Sequence, residues 1–550
     1  MKLKLVFILI LYFNDPAFNH AQIVRKDFEV SFNGDAQIEV GNHYIGTEFH
    51  HGFPLPQRIS FYYPAANSID LSTDYWKRDS TFIMSIGLKE ENNAAEWLGT
   101  KSFQFNLTPY YVSFHNSDSV KRVDISYQYC NTKPAMILKI EITNLSNNPK
   151  TYSTYTNLET SLKTSHTYGL RDRAWTEYDK DSKTLFTNFD DPETQNTSVF
   201  VLNAGDYPES CSGKSLNVNA PGAQKLIIPG FNFILDNQVI PQNNKSVPAA
   251  RFIYKKNLKQ NEKLTVVQII GSCRQDKRKS LTGYLKENFQ REIEDYEAYI
   301  LAEVNKDIFT TGDSVIDKSV AWAKAVLAVN RHYIDGTIQP MPCPAEYNFY
   351  FTHDVLLTDL AAVNFDLARV KQDLAFIINH ADKEKIIPHA YYWKDSSYRT
   401  EYATPDNWNH FWFVLLSAEY LKHSLDTPFL NILYPFVEKS IEQTMQNEKS
   451  GLMWAYRPDW WDIGRKLGPR SYMTILAVKA LKDFIFISES LNKNRTDIGK
   501  YNSLTEKLKK NLNEKLWDKK KKYLMNYFED GSEDPHYYMG SLLAVYFGLL

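Results

Sequence analysis

At 550 residues the chain is longer than one ordinary hydrophobic core supports, so two or more domains are expected. A formal charge of −2 gives no reason to invoke nucleic acid or an anionic membrane as a partner. Aromatic residues make up 14% of the chain, a density that suits either an aromatic-rich β core or a cleft whose flat rings stack on sugars.

In chain order, Lys2 and Lys4 precede an apolar run from Leu5 to Phe13, then polar residues and Ala21-Gln22. This pattern predicts a signal peptide over residues 1–21 and a secreted or periplasmic protein. The run is too short to span a bilayer, and no Cys follows it to carry a lipid. Cys130, Cys211, Cys273 and Cys343 are widely scattered, with no CxxC or Cys/His ligand spacing. A zinc site is not expected. Export permits disulfides, and Cys211 with Cys273 is no more than a guess at one.

From Phe28 to Cys273, short alternating runs are split by Asn, Gly, Ser and Pro. Met136, Leu138, Ile140 and Ile142 share one face by period two, and many such runs predict a large antiparallel β-sandwich over residues 22–278. The run Glu48, Phe49, His50, His51 and the segment Arg171 to Arg173 stand out there without forming a catalytic constellation. As strand neighbours, His50 and His51 would point to opposite faces, against joint metal ligation. Residues 279–312 read as a linker helix.

From Asp313 onward helices dominate, predicted at 313–333, 354–363, 366–381, 408–424, 427–447, 469–491, 497–518 and from 539 to the end. The basic run Lys519 to Lys522 follows a helical pattern and reads as a solvated turn. In the sixth helix, Met473, Leu476, Ala477, Ala480, Leu481 and Phe484 form a core stripe. Joints at 364–365, 425–426 and 492–496 are short; the other connections are about 20 residues or more, unusual for structureless loops. Short joints make antiparallel hairpins, so the long connections emerge on one end of the array. They carry Asp354, Asp406, Asp462 and Asp534, with Tyr347, Phe349, Tyr350, Tyr391, Tyr392, Trp393, Trp408, Trp412, Trp454, Trp460 and Trp461. In Arg457 to Gly464, RPDWWDIG, Asp462 directly follows two indoles, and Asp459 precedes them. A carboxyl group wrapped in tryptophan suits carbohydrate cleavage, where burial raises the pKa of an acid.

Several motifs of this half resemble those of the six-hairpin, (α/α)6-barrel glycoside hydrolases. The likeness is nearest to the glucosidase part of glycogen debranching enzymes, with glucoamylase-like and processing-α-glucosidase-like enzymes close by. The motifs are Phe351-Thr-His-Asp354 with Asn364-Phe-Asp366 and Ala368-Arg369; Ile386-Ile-Pro-His389 with Tyr402-Ala-Thr-Pro-Asp406 and Trp412-Phe413; Trp461-Asp462; and Leu516-Trp-Asp518 with Tyr523 and Asn526. The resemblance covers residues 313–550. It implies that Asp462 is the general acid of an inverting, exo-acting enzyme, and that Asp354 and Asp406 hold sugar hydroxyls. Trp408, Trp460 and Trp461 would wall the subsite. His353 stands where the family commonly has Arg, and Glu346 is a further candidate for a polar subsite contact. The implied fold is an N-terminal antiparallel β-sandwich followed by an (α/α)6 toroid. Eight helices fall short of the twelve of a closed barrel, so a C-terminally truncated toroid, with its general base beyond residue 550, is expected.

The same residues have plainer readings. Asp354 and Asp406 could be helix N-caps, and Asp462 a cap or a partner of Arg457 or Arg465. Rival functions are an α-L-rhamnosidase-like hydrolase, a polysaccharide lyase, or a non-catalytic carbohydrate-binding protein. The partner expected is an oligosaccharide or polysaccharide. No cofactor is implied, and neither calcium nor the oligomeric state can be read from the sequence.

Overall fold

The computed structural model describes residues 22–50, 52–64, 69–71, 83–91, 93, 95–98, 103–160, 174–189, 196–216, 246–308, 310–334, 336–343, 345, 349–394, 397–401, 409–456, 467–493 and 495–549. The first half is built on a nine-stranded antiparallel sheet. In spatial order its strands are Val30–Asn33, Gln104–Thr108, Tyr111–Ser117, Lys121–Tyr129, Ala135–Asn144, Lys263–Arg274, Thr197–Asn203, Thr184–Phe189 and Ala174–Asp179. The register sets Val123 opposite Ile142, Ile125 opposite Ile140 and Tyr127 opposite Leu138. These side chains and Met136 lie in one core with Ile86, Phe252 and Tyr254 of a five-stranded sheet and Ile45, Ile59 and Phe61 of a four-stranded one. The period-two reading of residues 136–142 therefore marks a buried sheet face.

The other face of the same sheet is apolar too. Ala135, Ile137, Phe200, Leu202 and Ile269 pack on Leu285 and Ile293 of helix α1, Arg278–Val304. The linker helix thus lies against the sheet. Glu292 pins it there: its carboxylate accepts the Thr132 N–H at 2.8 Å, the Thr132 hydroxyl at 3.0 Å and the Tyr284 hydroxyl at 2.8 Å. Farther along α1, Tyr296 donates to the Gly41 carbonyl at 3.0 Å. None of the four cysteines is in a disulfide. The guessed pair fails because Cys211 sits opposite Phe252 in the five-stranded sheet, whereas Cys273 is buried on the nine-stranded one.

The second half is an arc of helical hairpins. Its helices are α2 Ser314–Val329, α3 Thr352–Ala362, α4 Leu367–His380, α5 Asn409–Ser424, α6 Thr427–Met445, α7 Ser471–Ser490, α8 Arg495–Asn511 and the short α9 Leu543–Tyr546. Asp313 caps α2 by accepting from Val315 and Ile316, and Asp366 caps α4 by accepting from Arg369. α3, α5, α7 and α9 each pack on the next in that series and form an inner row, while α4, α6 and α8 return outside it. The inner position explains why α7 buries more than the predicted stripe, enclosing Ile475, Val478 and Ile487 as well. α2 joins the sandwich core through Ala321, Ala325 and Ala328. No helix among the described residues is long and apolar enough to cross a membrane.

Truncating Glu292 to Ala would hand the Thr132 N–H and the Tyr284 hydroxyl, both on exposed residues, to water. Urea unfolding should then show a loss of roughly 1–2 kcal/mol; a change below about 0.5 kcal/mol would mean that α1 does not depend on this clasp.

Candidate active site

Every inner helix follows a long connection, so all their N-termini point to one end of the arc, where the positive ends of their dipoles collect. The long connections are not structureless. Tyr350–Phe351 of the first pairs with Ala390–Lys394 of the second, which turns back through Ser397–Glu401. The third pairs Leu452–Ala455 with Gly468–Pro469. It touches the fourth, in which Asn526–Tyr527 pairs with Glu533–Asp534. Gly468 is where the third and fourth meet: its φ is +118°, and a Cβ there would lie 2.5 Å from the Tyr527 carbonyl oxygen. Only glycine fits.

Buried polar groups hold this end rigid. Arg369, wholly buried on α4, donates to Asp359 at 2.8 Å, to the Leu327 and Asn330 carbonyls at 2.8 and 3.2 Å, and to the Met341 carbonyl at 3.3 Å. One guanidinium thereby closes the end of α2 and the start of the first connection. Tyr350, at the far end of that connection, donates to Asp373 at 2.8 Å. Burial, and then the charge of neighbouring Asp359, pushes the Asp373 carboxyl well above the usual carboxylate range. Its protonated form is favoured there, beside an ion pair. In the fourth connection, Asp534 takes hydrogen bonds from Arg470 at 2.8 Å, Tyr538 at 2.9 Å and His536 at 2.6 Å. Burial opposes its ionisation, but these donors outweigh it and hold the carboxyl far below its ordinary value. Asp534 is therefore a strut. Asn526 caps α7, accepting the Ser471 N–H at 2.8 Å.

Of the predicted site residues, His353 and Asp354 are described. Glu346, Asp406, Trp408, Trp460, Trp461 and Asp462 lie outside the described residues, as do Tyr347, Asp459, Arg457 and Arg465. Asp354 is not an N-cap: α3 starts at Thr352 with Phe351 in the capping position, and Asp354 sits in the first turn. His353 is mostly enclosed, and its burial first, then the neighbouring His389, holds its ring down to about 3. A neutral imidazole thus faces Trp412, ring centres 5.6 Å apart, with Nδ1 3.9 Å from the Asp354 carboxylate. His389 and Asn409 complete the cluster: the His389 ring is 5.5 Å from Phe351, and its carbonyl accepts the Thr352 N–H at 3.0 Å. The sequence reading missed Asn409 and His410 and noted His389 only within a motif; a polar residue heading a mostly apolar helix was the available signal.

The predicted aromatic set divides. Tyr350, Tyr391 and Trp412 are core, with the Tyr391 hydroxyl donating to the Ile377 carbonyl at 2.8 Å. Phe349 with Tyr392, and Trp454 with Tyr456, remain partly open as ring pairs at 5.2 and 6.2 Å. The pairing of Ala455 with Gly468 clamps together both ends of the segment that carries Asp462 in sequence. A cavity of about 380 Å³ lies at the opposite end of the helices, lined by Leu360, Leu415, Glu419, His423 and Lys479. Its charges are spent on each other, Lys479 reaching Asp483 at 2.6 Å and Glu419 at 3.5 Å. Among the described residues no group of three His, Cys, Asp or Glu side chains comes together as a metal site.

An antiparallel sandwich before an arc of helical hairpins, with acids and aromatics gathered at one end, is the build of (α/α)6 glycoside hydrolase-like enzymes. Residues 378–534 match the family model described as "Glycosyl hydrolase 94 superfamily, catalytic domain". Among solved structures, the chain is similar to a bacterial glucoamylase complexed with acarbose, at 11% identity and a TM-score of 0.57, covering 88% of this chain and 71% of that one. It is also similar to a putative kojibiose phosphorylase from human microbiome, at 11% identity and a TM-score of 0.52, covering 90% and 71%. A GH78 family rhamnosidase of Bacillus sp. GL1 overlaps at 14% identity and a TM-score of 0.37, over 66% and 36%, too slight to bear on function. No curated protein sequence matches significantly. The family segment and the shared fold support a glycoside hydrolase or a related glycosyl-active enzyme.

Replacing Arg369 with Met should cost roughly 3–5 kcal/mol, because Asp359 loses its buried counter-charge and three carbonyls lose their donor. Asp373→Asn, which can still accept from Tyr350 and donate to Asp359, should stay within about 1 kcal/mol of wild type at pH 7. A raised pKa makes the stabilising contribution of Asp373 greatest below about pH 4, and it is lost as pH climbs toward that raised value. Stability curves against pH should show this loss in wild type and not in Asp373→Asn; parallel curves would refute the raised pKa.

Proposed function

We propose that the protein is an exported, exo-acting, inverting glycoside hydrolase of α-glucosidase-like specificity, with Asp462 as general acid. The observation that carries the reading is the family match over residues 378–534, which includes Asp462 in a segment whose flanks are clamped at the end where the inner helices begin. The signal-peptide pattern of residues 1–21 supports export. The helical half is read as part of an (α/α)6 toroid, after the glucoamylase whose fold it shares.

In this reading a sugar enters among the long connections. Asp354 binds hydroxyls of the non-reducing-end ring, helped by Asp406 and Glu346, while Trp408, Trp460 and Trp461 stack on its apolar faces. His353, neutral, offers one nitrogen as donor and one as acceptor, where Arg would offer charge. Asp462 passes its proton to the glycosidic oxygen as the bond breaks. A second carboxylate takes a proton from water attacking the opposite face, the two carboxyls standing roughly 6.5–9.5 Å apart. Loss of the proton from the acid, or protonation of the base, stops turnover, giving a bell-shaped rate profile.

The likeness to a phosphorylase favours one second reading, in which inorganic phosphate replaces water as the attacking group. Initial rates on α-linked disaccharides, with and without added phosphate, separate the two. Hydrolysis predicts phosphate-independent release of two free sugars per bond cleaved; phosphate-dependent release of one sugar phosphate with one free sugar per bond would replace it with phosphorolysis. Asp462→Asn should lower kcat by about 10²–10⁴-fold while oligosaccharide binding persists. An unchanged rate would remove Asp462 from the acid role.

A further inference from the structure

Strand Pro56–Phe61 of the sandwich has two faces with different partners. Ile59 and Phe61 point into the sandwich core. The alternate residues Arg58, Ser60 and the following Tyr62 point toward the helical half. The Tyr62 ring stacks on His332 with centroids 3.7 Å apart and planes 14° from parallel. Beside them, the Tyr333 N–H donates to the His43 carbonyl at 2.7 Å. Ser60, wholly buried, donates its hydroxyl to the Ala345 carbonyl at 2.6 Å. One of its two cross-strand neighbours is Gly46, which has no side chain to keep the helical half away.

Ala345 belongs to the first long connection, which leads on to the Phe349–Tyr392 ring pair and to His353 and Asp354. That connection is held at its start by Arg369 on the Met341 carbonyl and at its end by Tyr350 on Asp373, both within the helical half. The bond at its middle comes from the other domain. We propose that Ser60 is a positioning residue: besides the sandwich contacts at His332 and Tyr333 near the start of the first connection, its hydroxyl holds that connection at Ala345 and so sets the fit of the sugar site on the helical half. The proposal rests on the reading of that end as the sugar site. It gives the N-terminal domain a part in substrate binding.

The test uses the full chain with Ser60→Ala and Ser60→Thr, the second keeping the hydroxyl. Ser60→Ala should raise KM for an α-linked oligosaccharide about fivefold or more with kcat changed less than about twofold, and Ser60→Thr should restore KM. Hydrogen–deuterium exchange should quicken in residues 341–351 of Ser60→Ala and stay unchanged in α7. Wild-type KM together with wild-type exchange in Ser60→Ala would overturn the proposal. So would an equal quickening throughout the chain, the mark of a general loss of stability. If wild-type protein neither binds nor cleaves sugars, the functional reading fails instead, and the exchange measurement still decides whether Ser60 holds the connection.

Discussion

The Arg369–Asp359 pair is the interaction on which the working end of the helical half depends. A guanidinium with no solvent exposure is tolerable only when nearly all its donors are used, and Arg369 uses them on a carboxylate and three backbone carbonyls. Those carbonyls belong to the end of α2 and to the two ends of the hairpin that opens the first long connection. The charge is therefore the means by which these carbonyls are buried at the mouth of a helical array. Asp373 sits against the same pair, where burial favours its protonated form, and passes the constraint to Tyr350. Arg470 with Asp534 repeats the device between the third and fourth connections.

Two such hubs and the small sheets between connections turn four long loops into two braced units. This is the rigidity that substrate-positioning side chains require, since catalytic groups lose effect when misplaced by about 1 Å. The direction of the inner helices adds a field. Their N-termini favour negative charge at the end where Asp354 stands and where both flanks of the Asp462 segment are paired. His353 contributes no positive charge there.

The fold was largely legible because it is written in local periods. The alternation at 136–142 became a buried sheet face, and the helices from Asp313 onward formed within a few residues of where hydrophobic spacing put them. The misses have a common cause. The predicted first helix ran to 333, but Arg331–Ile334 pairs with Thr337–Pro340 instead. The pairing of Tyr350 with Tyr391 joins segments 41 positions apart through a strand of only two residues, Tyr350–Phe351, which leaves no period to read. Tyr350, Tyr391 and Trp412 looked like a binding face and proved to be core, since a ring's composition does not say which way it turns. The partners of Arg369 come from three separate stretches of chain, and Ser60 meets Ala345 across 285 positions. The motif that carries Asp354 was visible in the sequence; the buried groups that brace the connections around it were not.

Hydrogen–deuterium exchange of the wild-type protein with and without an α-linked oligosaccharide tests the central claim most directly. If the long-connection end is the sugar site, protection should concentrate in residues 341–356, 386–401 and 447–470, with the opposite ends of α5 and α7 unaffected. Protection centred on Leu415, Glu419 and Lys479 around the cavity at the far end, with none in the long connections, would contradict it.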